Sequence, residues 1–172
     1  MKLTRLNTAD NSWQDFQTQW KEEYSTYEDE FEGYASAALG TLENECDNGT
    51  PDPDSGVFAL IDDQDRIHAA CFLNSTLLKG FKGKVMRVRH LILSPYYDFE
   101  NLELEQYAEI LAHCFTAIVD CSETTLVSPH IKIHYRSPYD RTFFAAFGLT
   151  MRSTGRFSTV ESKGMWLHLT KT

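Results

Sequence analysis

The stretch that most constrains the fold is residues 57–93. It carries three apolar runs, VFALI (57–61), IHAACFLNSTLL (67–78) and VMRVRHLIL (85–93), parted by the polar turns DDQDR and KGFKGK. Turns of five or six residues cannot carry a crossover, so the three strands must form an antiparallel meander. Amphipathic helices bracket the meander. Trp13, Phe16, Trp20, Tyr24 and Tyr27 form one helical stripe, with Ser12 and Asp15 as its expected capping box. Phe31, Tyr34, Ala35, Ala38, Leu39 and Leu42 form a second. Such stripes build a core, or they wall a pocket. On the C-terminal side, Tyr107, Ile110, Leu111, Cys114, Phe115, Ile118 and Val119 keep the i, i+3, i+4, i+7 spacing of a long helix.

The remaining elements follow from shorter signals. KLTRL (2–6) alternates as a strand, and DNGTPDPDS (47–55) is a loop. The sheet resumes at TTLV (124–127) or IKIHY (131–135). Ser137-Pro138-Tyr139-Asp140 starts a helix, with Phe143, Phe144 and Phe147 inward and Gly148 as the terminating C′ residue. Two strands, near 149–157 and 165–170, close the chain through ESKG. The expected order is β-αα-βββ-α-β-α-ββ. It describes one α/β (α+β) domain over 1–172, a mixed, mostly antiparallel sheet of six to seven strands with about four helices.

Charge and cysteines exclude several classes. The net charge is −9, and residues 22–54 hold eleven acidic and no basic side chains. That sign argues against nucleic acid and favours a cationic small molecule or a basic protein; a solvated face is the other reading. Cys46, Cys71, Cys114 and Cys121 form no C-x-x-C, and three lie in apolar patterns, as reduced core thiols do. MKLTRLNTADNSW lacks an apolar leader and no segment reaches membrane-span length, so a cytoplasmic protein is expected. No nucleotide-loop or nucleophile-elbow motif occurs. His130 and His134 share a strand face but stand roughly 13 Å apart, too far for one metal ion.

Two local stretches carry a family resemblance. HLILSP (90–95) resembles the end of the fourth strand of the GNAT superfamily of acyl-CoA N-acyltransferases, and SPYDRTFFAAFG (137–148) resembles its late helix. The element order resembles that fold over nearly the whole chain. The resemblance implies transfer of an acyl group from acetyl-CoA or another acyl-CoA to an amine. The pantetheine arm would lie against the backbone of Leu91, Ile92 and Leu93 like an added strand. Arg136 and Arg141, with Arg87, Arg89 and Lys132, are candidates to meet the phosphates.

The family's catalytic positions are differently filled. The usual Glu falls near Arg87 and the usual Tyr on Phe144. His90 is then the nearest base on the strand, or else a structural histidine. Tyr135 and Tyr139 are substitute acids, or else core and rim residues. The family's glycine-rich phosphate loop is replaced by YYDFENLELEQY (96–107), without Gly or Arg. Each close carboxylate there opposes a diphosphate by about 1 kcal/mol at high dielectric. The alternative function is therefore a non-catalytic scaffold of this fold that binds a basic partner. A homodimer is open in either case.

Overall fold

The computed structural model describes residues 1–172 except 28–32, 34–35, 48–51 and 136–137; for 47, 138–140 and 149 it describes the backbone alone. The order is β1 (Lys2–Leu6), α1 (Ser12–Ser25), α2 (Ser36–Asp47), β2 (Ser55–Ile61), β3 (Ile67–Leu77), β4 (Lys84–Leu93), α3 (Pro95–Phe99), α4 (Leu104–Thr124), β5 (His130–His134), α5 (Pro138–Ser153), β6 (Phe157–Lys163) and β7 (Trp166–Lys171). All seven strands join one sheet in the order β1-β2-β3-β4-β5-β7-β6. Among the described residues only β4 and β5 run parallel. This mixed, mostly antiparallel sheet agrees with the GNAT-like order expected from the sequence, with one addition, the single-turn helix α3. No described helix is long and apolar enough to cross a membrane.

Strand alternation divides the core in two. On one face Leu73, Met86, Val88, Ile131, Ile133, Leu167 and Leu169 meet Ile110, Leu111, Phe115 and Ile118 of α4 and Phe144 of α5. On the other, Val57, Ala59, Ala70, Phe72 and Ile92 meet Trp13, Phe16, Trp20 and Tyr24 of α1 and Leu42 of α2. The second cluster reaches no further across the sheet than β4. The helical stripe of α1 is thus core. Trp20 is wholly buried, and its indole N–H donates to the Ile67 carbonyl at 3.0 Å. Burying a polar ring atom with a partner keeps the full apolar gain.

Several local expectations change. The α1 N-cap is Asn11, in a left-handed conformation at φ 64°, not Ser12. The Ser12 hydroxyl instead exchanges hydrogen bonds with the Asn7 backbone. TTLV begins on the last residue of α4, Thr124, and forms no strand, and the sheet resumes at His130. Gly148 does not end α5, which runs on to Ser153. A Cβ there would lie 2.7 Å from Val160 Cγ1, so the glycine lets α5 approach β6. This moves the start of β6 to Phe157, and Glu161, Ser162 and Lys163 belong to the strand rather than to a loop. Phe31, Tyr34, Ala35 and Ser137 lie outside the described residues.

Candidate functional site

The sheet changes character along β4. This strand pairs with β3 from Lys84 to Leu93, but its parallel ladder with β5 runs only from Val85↔His130 to Val88↔Ile133. Beyond that point β5 ends, and the Tyr135 amide donates to the Met165 carbonyl on the β7 side. Among the described residues, residues 89–93 of β4 therefore have a ladder partner on one side only. An unpaired strand edge is a template for an extended ligand.

A bulge sits at the start of this edge. Phe72 pairs with Arg89 and Ala70 with Ile92, so His90 and Leu91 together face Cys71. His90 takes φ 51°, left-handed for a residue with a Cβ. Such a conformation costs about 1–2 kcal/mol, and strain of this kind gathers at functional positions. His90 is half-buried. Burial, then the charges of Arg89 and His134, lower its pKa below the ordinary 6.5, against a smaller opposing pull from Glu45. The imidazole is neutral at pH 7 and can accept a proton.

The other candidates fall in different places. Leu91 and Leu93 bury their side chains in the α4 cluster, and Ile92 buries its own in the α1 cluster. Only their backbone is left for a ligand. Tyr135 is fully buried on the α4–α5 face. Its hydroxyl shares a 2.7 Å hydrogen bond with Ser162, and its ring stacks on Phe144. His134 and Arg89, which bear on His90, lie on the opposite face by strand alternation. Arg141 is exposed on the first turn of α5. Arg136 and the Tyr139 side chain lie outside the described residues.

The aromatic residues after β4 turn away from the open edge. Tyr97 donates to or accepts from His68 Nδ1 at 2.7 Å, Tyr96 lies under Arg66, and Phe99 packs on Tyr24 and Tyr27. His68 continues to Asp62 at 2.8 Å. This network ties α3 to β3; the His68 hydrogen bond holds Asp62 at a pKa of about 2, while burial pushes Tyr97 up to about 12.

An acyl-CoA fits this arrangement in one part and not in another. The β4 edge suits a pantetheine arm. The N-terminus of α4 does not suit a diphosphate: Gln106 Oε1 accepts the Glu103 amide at 3.1 Å in a capping box, and the N-cap Glu103 and the first-turn Glu105 put carboxylates at the helix start. A negative charge already occupies the anion position of the helix.

One feature of the region is not visible in any single segment. Arg87, Lys132 and His168 stand in register across β4, β5 and β7. Each lies on an R-x-R, K-x-H or W-x-H alternation. Alternation marks a two-sided strand, but only the register brings the charges together.

No family model and no curated protein matches the chain. Solved structures do. Two are mutants of the BH1408 protein from Bacillus halodurans, each 13% identical, with TM-scores of 0.46 and 0.42, covering 95% of this chain and 98% of the other. A third, named "putative acetyltransferase", comes from Exiguobacterium sp. 255-15; it is 13% identical with a TM-score of 0.41, covering 99% and 94%. Likeness at this level assigns no residue a role.

Proposed function

We propose that this chain is a GNAT-type N-acyltransferase that moves an acyl group from an acyl thioester, acetyl-CoA or another acyl-CoA, to an amine. The observation that carries the reading is the one-sided β4 edge from Arg89 to Leu93, with His90 strained at its start. The thioester supplies an activated carbonyl. The chain supplies a backbone edge that aligns the donor arm and a neutral imidazole that takes the proton of an ammonium acceptor. Glu45 on α2, whose charge reaches His90, favours the approach of such a cation. A cytoplasmic setting agrees with such a donor.

Calorimetric titration tests this with acetyl-CoA and, in parallel, S-acetylpantetheine, which lacks the diphosphate. Saturable heat with either donor, abolished acetylation of a polyamine mixture in His90→Gln, and unchanged folding of that variant are expected. No heat from either at millimolar concentration contradicts the reading.

The capped α4 N-terminus favours a second reading, a scaffold of the same fold that binds a basic macromolecule through the acidic segment 22–54. Capture of a basic protein at low salt, lost when Glu22 and Glu43 are changed to Lys, distinguishes it.

A further inference from the structure

We propose that the open face of β4, β5 and β7 binds a single anionic group, a phosphate or carboxylate on a small molecule, through Arg87, Arg89 and Lys132. The face is defined by two cross-strand rows. One runs Asn74, Arg87, Lys132, His168, Glu161, each in register with the next. The row beside it holds Phe72↔Arg89 and His134↔Trp166↔Lys163. Arg87 and Lys132 are thus direct neighbours on adjacent strands, about 4.8 Å apart at the backbone, and Arg89 is two residues along from Arg87.

Like charges placed opposite one another destabilise a sheet. Here nothing among the described residues neutralises them. The ion pairs among the described residues lie elsewhere, and the one carboxylate of the row, Glu161, is taken by Lys163 at 2.6 Å. Arg87 bonds a neutral partner, the Asn74 side-chain oxygen, at 3.1 Å. Arg89 buries its Nε with no hydrogen-bond partner among the described residues. A buried unpaired donor on a cation is costly, and an anion is the partner that would satisfy it.

The cations are also oriented. Lys132 Nζ lies 4.8 Å from the Trp166 ring centroid and Arg89 Cζ lies 5.8 Å from it. One indole thus steadies two cations that repel each other. All three cations are part-buried. Burial first, then their mutual repulsion, lowers the pKa of Lys132 and of Arg87.

The occupant is small. A nucleic-acid backbone needs an extended cationic track, and this chain carries a net charge of −9. Glu161 at one end of the row and Glu45, near His90, leave three cations within about two strand spacings, which matches one fork-binding oxyanion. The site stands whether or not an acyl thioester binds. Its extension to the acceptor, an amine that also bears an anion, rests on the acyl-transfer reading.

The test is an NMR titration of the full chain, labelled with nitrogen-15, with sodium phosphate and separately with sodium succinate, and with sodium chloride at matched ionic strength. No acyl donor is present, so failure of acyl transfer does not touch the result. Saturable movement of the Arg87 and Arg89 Nε–H signals is expected with at least one oxyanion and not with chloride. Arg89→Gln and Lys132→Gln should each weaken binding roughly tenfold, while Lys2→Ala leaves it unchanged. Tighter binding of phosphate assigns a phosphate ligand, and tighter succinate a carboxylate. Shifts that fail to saturate, that chloride reproduces, or that survive in both Gln variants overturn the proposal. Should Arg89→Gln not fold, Lys132→Gln decides alone.

Discussion

The two halves of the sheet use their polar residues in opposite ways. From β1 to β3, helices cover both faces, and the buried polar groups are matched. Trp20 bonds the Ile67 carbonyl, and His68 bonds both Tyr97 and Asp62. From the end of β4 to β7, the face opposite α4 and α5 carries a strained histidine and, among the described residues, cations without counter-ions and a strand edge without a neighbour. The first half is organised for stability. The second retains features that oppose stability, and retained conflicts of this kind mark binding surfaces.

Substitutions that damage the first half should therefore cost most. Trp20→Ala removes a fully buried indole from the α1 cluster and should lower unfolding free energy by about 3–5 kcal/mol in a urea titration. An unchanged midpoint would show that α1 contributes little to the core. On the covered face of the second half, where α5 packs on β6, Gly148→Ala gains helix propensity but drives a methyl into stiff, β-branched Val160. The clash should win, for a net loss of about 1–2 kcal/mol by the same measurement.

The Asp62–His68 pair sharpens the comparison through pH. The carboxyl of Asp62 is held at about 2 instead of 3.8, chiefly by the His68 hydrogen bond. A depressed carboxylate contributes stability that is whole above its unfolded value and is lost as pH falls through the folded one. The wild type should therefore lose stability between pH 4 and pH 2, and Asp62→Asn should show a flatter profile there. Identical acid limbs would remove the pair from the account.

The cation-bearing face of the second half should respond weakly, or in the opposite sense. His90→Gly relieves the left-handed strain and should leave the melting temperature unchanged or raise stability by up to about 1 kcal/mol, while acyl transfer is lost. Lys132→Gln removes a like-charge neighbour of Arg87 and should cost no more than about 0.5 kcal/mol. A large loss of stability in either variant would make that face structural.

The sequence revealed most where one segment carries its own signal. The meander from 57 to 93, the first strand and α4 are legible because periodicity and turn chemistry are local. The end of α5 was misread because Gly148 has two possible uses. A glycine can end a helix or admit a neighbouring strand, and only Val160, twelve positions on, separates the two. The His90 bulge is hidden because alternation records which face a side chain takes and not its φ. Tyr135 reads from sequence as a substitute acid or a core residue, and what decides for the core is its partner Ser162 on β6, whose start was displaced. The cation row depends on register between strands far apart in sequence, which no single stretch encodes.

The central claim is that β4 from Arg89 to Leu93 is an edge kept open for an acyl-thioester arm. Hydrogen exchange of the backbone amides, followed with and without acetyl-CoA, tests it most directly. Without ligand, the outward amides of Arg89–Leu93 should exchange faster than those of Val85–Val88, which lie in the β5 ladder, and ligand should slow them selectively. Equal protection along β4 without ligand, and no change on adding it, would contradict the account.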